Sequence, residues 1–338
     1  MTESQALHRS ILTVDTHIDI PWPDRGDIAQ ETSYRHVDLP KLRRGGIAAA
    51  CLVAYVGQGP TDADTHAAIG QQALDMLDAI GRSGATGEAR ICPLADEIEA
   101  AFRDGVTAIV PAVENGYAMG EDLSLLARFR AKGARYMTLT HNGHNALADS
   151  ARPSAALGDV ESRHGGLSGL GREAIAEMNR LGLMVDISHT ARSTMMQAVR
   201  LSRSPVLATH SCVRALCDHP RNLDDEQLDA LRDCGGVVHI TAVDAFLRPR
   251  EARRKRPVNV ADYVDHIDYV VDRIGVGHVG ISSDFDGGGT IEGWRNAAQS
   301  PALTAELLRR GYDAAQIAAI WGGNFLRVLR AAEDVAAS

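Results

Sequence analysis

Short apolar runs alternate with longer amphipathic stretches along almost the whole chain. Eight runs have the β-rich, turn-bounded character of buried strands: Ile11–Ile18, Ile47–Val56, Thr107–Val113, Tyr136–Thr140, Gly182–Ser188, Pro205–Thr209, Gly236–Thr241 and His278–Ser283. Between them, Asp64–Ile80, Asp122–Lys132, Arg172–Arg180, Ser193–Leu201, Asp225–Asp233 and Val260–Ile274 repeat apolar positions every three or four residues, the helical period. Polar residues that can cap a helix precede two of these stretches, at Ser168 and at Asp224. Past the last run, Ala302–Arg310, Ala314–Ala319 and Phe325–Ala332 also read as helices, with Gly322-Gly-Asn324 breaking the chain before the third.

Alternation of this kind implies βαβ units around a parallel sheet. Eight strands fit an α/β chain folded as a (β/α)8 TIM barrel, with a long loop at Asn142–Leu170 and a C-terminal helical extension. A doubly wound open sheet would show a Gly-rich phosphate turn after an early strand, and none is present. Gly287-Gly-Gly289 follows the last run without a Lys-Ser/Thr and reads as a flexible loop over a site. With no internal repeat or low-complexity linker, residues 1–338 are expected to form one domain.

Composition narrows the setting. The 338 residues are 45% apolar and 23% charged, ordinary for a globular protein, and the net charge of -9 argues against a nucleic-acid partner. The one basic run, Arg248–Arg256, reads as a solvated loop. Five cysteines without a CxxC pair suit a reducing compartment. No signal peptide, membrane span or lipid-anchor tail is evident, so a cytoplasmic location is the expectation.

The chemistry gathers where the runs end. The first gives His17 and Asp19, which share a face at alternate positions of a strand. The third gives Glu114, the fourth His141, the fifth His189, the sixth His210 and the eighth Asp284. In a parallel barrel all these ends lie on one rim, where barrel active sites are built. Four imidazoles and three carboxylates at one mouth are a metal-site pattern, and they exceed the three ligands one catalytic zinc needs. Two divalent ions sharing a carboxylate would use the set more fully and generate a hydroxide nucleophile at neutral pH. His144 and His219 fall near the rim with their roles open; His8, His36, His66, His164, His266 and His278 are assigned none.

These residues resemble the renal or membrane dipeptidases, a family of binuclear zinc barrels with bacterial members. The resemblance is carried by Asp15-Thr-His17-Ile-Asp19-Ile-Pro-Trp22, Val113-Glu114-Asn-Gly and Arg135-Tyr-Met-Thr-Leu-Thr-His141-Asn. It continues through Gly169-Leu-Gly, Asn179–His189, Pro205-Val-Leu-Ala-Thr-His210-Ser, Arg221-Asn and Gly280-Ile-Ser-Ser-Asp284-Phe-Asp-Gly287. It implies a barrel of the metallo-dependent hydrolase type and a dipeptidase holding two Zn2+ per chain. One zinc would be bound by His17 and Asp19, the other by His189 and His210, with Glu114 bridging. His141 is expected to contact substrate and stabilise the tetrahedral intermediate, Arg221 to bind the terminal carboxylate, and Asp284 to pass a proton from water to the leaving amine. The same resemblance implies dipeptides, L,D-dipeptides included, as the small-molecule partner, and a homodimer.

The chain also departs from the better-known animal members. It lacks their leader, tail and cysteine framework, so membrane attachment is not carried over. The segment His239–Phe246 lacks the aromatic cluster expected in animal members, which leaves side-chain preference open; Arg152 and the Asn142–Leu170 loop are expected to shape the pocket, without a spacing argument for either. Two other readings stay open at this point. Metal-dependent lactonases, phosphoesterases and deaminases commonly start from His-x-His and bridge with a modified lysine, whereas Asp19 and Glu114 stand here. A metal-bound barrel that binds without catalysis is the other.

Overall fold

The computed structural model describes residues 2–23, 28–84 and 87–338. Its strands are β1 (Val14–Asp19), β2 (Ala49–Tyr55), β3 (Ala89–Ile91), β4 (Thr107–Glu114), β5 (Tyr136–Thr138), β6 (Met184–Asp186), β7 (Leu207–Ser211), β8 (Val237–Ile240) and β9 (Val279–Ile281). All but β3 follow one another around the sheet in that order, every pairing parallel. The two ends meet: Asp284 N–H donates to His17 O and Asp19 N–H to Phe285 O, each at 3.1 Å. The result is a nearly closed parallel barrel of eight strands, wrapped by helices and followed by C-terminal helices, as the alternating pattern implies.

The ninth strand is a correction. β3 pairs with Thr107–Ile109 of β4, while Val113 and Glu114 of β4 pair with β5. Three residues are too few to show a period, which is why the hydropathy pattern passes over it. Most strands are also shorter than their apolar runs, which extend past them at one or both ends. Asp19, Glu114 and His210 thus lie within strands, while His141, His189 and Asp284 each sit three residues beyond one.

Two packed layers hold the barrel. Alternate residues Ala49, Cys51 and Val53 of β2 and Ala108, Val110 and Ala112 of β4 belong to one cluster, which includes Phe325, Val328 and Leu329 of the last helix. Their neighbours on the opposite face of these strands, such as Ala50, Leu52 and Ile109, pack with Leu74, Leu77 and Met178 of the surrounding helices. Small inward residues leave room for a plug, and the helix Asn324–Ala337 supplies it at the end away from the rim, where Asn324 Nδ2 donates to Val279 O at 2.8 Å.

The expected break at Gly322-Gly-Asn324 does not occur. The helix Ala314–Ala318 runs through a wide π turn, Ala319–Gly323, straight into Asn324–Ala337. Gly322 serves close approach instead, since a Cβ there would fall 2.4 Å from Leu12 O. Nor is the basic run a loop. Arg250–Lys255 is helical, and Arg248 and Arg256 pair with Asp262 at 3.2 and 2.6 Å while Arg253 pairs with Asp244 at 3.0 Å. Carboxylates on the neighbouring helices neutralise much of it.

One histidine outside the rim sets an acid limit on the fold. Buried His266 accepts from Val213 N–H through Nδ1 at 3.0 Å and lies 3.0 Å from Leu247 O through Nε2, so only the neutral ring satisfies both. Burial lowers its pKa to about 4. A folded value below the ordinary 6.5 means stability present above pH 6.5 and lost as pH falls toward 4, about 3 kcal/mol in all. Urea unfolding at pH 7 and pH 4.5 is expected to show a smaller loss for His266→Gln than for the unaltered protein.

Candidate metal centre and active site

The rim is organised around Glu114, the buried last residue of β4. His17 Nε2 lies 3.3 Å from its Oε2. On the other oxygen, His189 Nε2 lies 3.3 Å from Oε1, His210 Nε2 3.4 Å and His141 Nε2 3.9 Å. Asp19 Oδ1 is 3.7 Å from His17 Nε2. The structure therefore brings His17, Asp19, Glu114, His141, His189, His210, Arg221 and Asp284 together, and all but His17 line one cavity of about 220 Å3.

What lies beneath the rings decides which nitrogen they present. Tyr136 Oη donates to Thr16 O at 2.9 Å, leaving its oxygen to accept from His17 Nδ1 at 3.1 Å. Thr209 Oγ1 donates to the buried Asp186 Oδ2 at 2.7 Å and faces His210 Nδ1 at 2.9 Å and His17 Nδ1 at 3.3 Å. Both rings are thus oriented from the Nδ1 side, and both turn Nε2 toward Glu114. Thr138 Oγ1 and the N–H groups of Ser188 and Thr209 complete the shell of Asp186.

The donor set fits a divalent cation. Among the described residues, His17 Nε2 and Asp19 Oδ1 are buried and make no hydrogen bond. Burial depresses the basicity of His17, yet Glu114 first, then Asp19 and Asp284, outweigh it and hold the pKa at about 10. His210 is pushed down to about 3 by burial and by the charge on His17, and burial lowers His189 well below its ordinary range. Clustered carboxylates demand positive charge here, and the rings cannot all supply it as protons; a metal ion does so with the same nitrogens. Asp19 is raised well above the usual carboxylate range by burial and then by Glu114, a repulsion that a shared cation relieves. Among the described residues, the ligand atoms of His17–Glu114–His210 and of Glu114–His141–His189 lie within 4.8 Å of one another, a division of the rings that differs from the pairing implied by the resemblance.

Backbone turns at the rim carry strain. Asn115, His189, Asp284 and Asp286 have φ of 82°, 66°, 57° and 63°, a region unfavourable to side chains. Asn115 directly follows Glu114, and the other three lie at or beside the site. The Gly287-Gly-Gly289 segment is a tight turn rather than a flexible loop: Gly287 and Gly289 N–H both donate to Asp284 O, at 3.2 and 2.7 Å. A Cβ on Gly287 would stand 2.5 Å from Asp284 Oδ1 and 2.8 Å from Asp19 Oδ2. Gly287→Ala is therefore expected to displace both carboxylates and lower kcat by at least about tenfold with the fold intact, read by initial rates beside circular dichroism.

Other residues take supporting places. His144 accepts from Ser150 N–H at Nδ1 (3.0 Å) and faces Val160 O with Nε2 (2.9 Å), so it fastens the loop instead of the centre. His219 accepts from Arg221 N–H at 3.2 Å and stacks on Phe246, with ring centroids 4.5 Å apart. Arg221, buried beside them, donates through Nη2 to His210 O at 3.1 Å and, among the described residues, keeps Nε unpartnered. Tyr55, Asp186 and Thr209 have no role in the sequence reading. Tyr55 ends β2, and its hydroxyl is 3.5 Å from His141 Nδ1. Its place at a strand end was the available signal.

A parallel barrel whose C-terminal rim collects imidazoles around a buried carboxylate defines a metal-dependent hydrolase. The chain belongs to the membrane dipeptidase family (Peptidase family M19), whose model matches residues 1–338. It is 34% identical over 312 residues to dipeptidase aclJ of Aspergillus oryzae, covering 90% of this chain and 72% of that one. Among solved structures it is similar to the "probable dipeptidase PvdM" of Pseudomonas aeruginosa (TM-score 0.90, 30% identity, 98% of both chains). It is also similar to a Rhodobacter sphaeroides metallopeptidase liganded with a phosphinate mimic of L-Ala-D-Ala (TM-score 0.81, 27% identity, 95% of this chain and 99% of that one). The protein is a dipeptidase of this metallopeptidase class. Among the described residues no helix is long and apolar enough to cross a membrane.

Proposed function

We propose that this chain is a single-domain zinc dipeptidase working with two ions, one on His17 and Asp19 and one on His189 and His210, with Glu114 between them. The observation that carries the reading is the split of Glu114: Oε2 faces His17, and Oε1 faces His189 and His210. Ions held there would supply an activated water and polarise the scissile carbonyl. Arg221 binds the substrate's α-carboxylate, for which a buried, planar fork with a free Nε is suited. His141 donates to the oxygen that gains charge at the tetrahedral stage. Asp284 accepts the proton of the attacking water and returns it to the leaving amine.

The small cavity suits a dipeptide, and the L-Ala-D-Ala mimic bound by the Rhodobacter relative supports L,D-dipeptides among the substrates. Family likeness supports a homodimer, and the cysteine usage a cytoplasmic setting. The test is to strip the protein with chelator, reload it with zinc, and quantify amino acids released from L,L- and L,D-dipeptides. Activity should vanish and return with about two ions per chain; undiminished turnover after stripping would remove the reading.

A further inference from the structure

Arg152 is a charged residue at the mouth that the proposed chemistry does not use. It is exposed, lines the same cavity as Arg221, His141 and Phe246, and has no side-chain partner among the described residues. Its backbone is nevertheless fixed. Arg152 N–H donates to Ser150 Oγ at 3.1 Å, Arg152 O accepts from Gly143 N–H at 2.8 Å, and Ala151 N–H donates to His189 O at 2.8 Å. The loop that carries it is tied down further in, where Asp149 accepts from Ser162 Oγ and the N–H groups of Arg163, His164 and Gly166. A long cationic side chain on a fixed anchor, aimed over a cavity and left unpaired, is a recognition arm more than a structural one.

Arg221 lies over Phe246 at 5.3 Å, and His219 stacks on the same ring. Burial, then the charges of Arg221 and Arg152 in that order, lower His219 to about 4, and both guanidinium groups bear on His141 as well. Arg152 and Arg221 thus line one small cavity, where a substrate held by its α-carboxylate on Arg221 also meets Arg152. In about 220 Å3 a dipeptide has little freedom to carry its C-terminal residue elsewhere.

We propose that Arg152 selects dipeptides whose C-terminal residue has an acidic side chain, with Arg221 on the α-carboxylate and Arg152 on the side-chain carboxylate. This rests on the dipeptidase reading and on the place given there to Arg221. Glutamate at the C-terminal position presents two carboxylates, and a second guanidinium is the group that distinguishes it from glutamine of equal size.

The test compares Ala-Glu with Ala-Gln, each with an L and a D C-terminal residue, on zinc-loaded protein and on Arg152→Gln and Arg152→Glu. The unaltered protein is expected to favour Ala-Glu in kcat/KM by roughly tenfold in at least one configuration, mostly through KM. Arg152→Gln should bring the ratio close to one, Arg152→Glu should shift preference to Ala-Lys, and 0.5 M salt should shrink the gap because Arg152 is exposed. Equal rates on Ala-Glu and Ala-Gln, or the same ratio in Arg152→Gln, would overturn the proposal. Zinc-loaded protein that cleaves no dipeptide at all would overturn the underlying reading, and this inference with it.

Discussion

Glu114→Gln is expected to lower kcat/KM on a dipeptide by about 10³-fold or more and to leave the protein holding fewer than two ions per chain. Position explains the size of the effect. Each carboxylate oxygen faces its own imidazoles, at 3.3 Å for His17 and 3.3 and 3.4 Å for His189 and His210. Glutamine keeps the volume, so the β4 packing survives and circular dichroism should not change. What it lacks is the charge that offsets a cation on both sides, and its NH2 would face one set of rings. Metal analysis after gel filtration, taken with initial rates, is the check. A Gln variant with full metal content and full rate would remove Glu114 from the centre.

Asp284→Asn is expected to act differently: kcat should fall by about 10²- to 10⁴-fold while metal content stays near that of the unaltered protein and KM changes little. Asp284 lies three residues beyond β9 in a left-handed turn, with φ 57°. Burial pushes its carboxyl up to about 7, against the pull of His17. A carboxyl in that range can take a proton and give it back near neutrality, which an amide cannot. The split between kcat and metal content separates a proton carrier from a ligand. Parallel loss of both would make Asp284 a ligand instead.

How far the sequence discloses this site depends on each residue's surroundings. His17, Glu114, His141, His189, His210 and Asp284 are legible because each ends or follows an apolar run, and parallel topology sends such ends to one rim. Arg221 is legible through the resemblance alone, as nothing in its local spacing marks it. Asp186 and Thr209 are silent in the sequence, since a polar residue inside an apolar run has no evident use until the rings above it are placed. Arg152 is legible only as a pocket-shaping residue without a spacing argument: its position depends on the path of a loop fastened by Asp149 and His144, and irregular backbone has no period to read. Among the fold elements, β3 fails on length, and Gly322 shows the opposite error. There a glycine pair marks close contact with Leu12, and the helix continues through it.

The seam of the barrel has a consequence for the order of events in folding. Thr16 Oγ1 donates to Ile281 O at 3.1 Å across 265 positions of sequence, and the backbone bonds that close the ring join His17 and Asp19 to Asp284 and Phe285. The strand that carries two candidate ligands must therefore wait, unpaired on one side, until the residue 265 positions further on has emerged. A contact of that span is slow to form, and its components are exposed to misassembly meanwhile. The Asp284 carboxylate, given the proton-transfer role, arrives just after the strand that locks the ring.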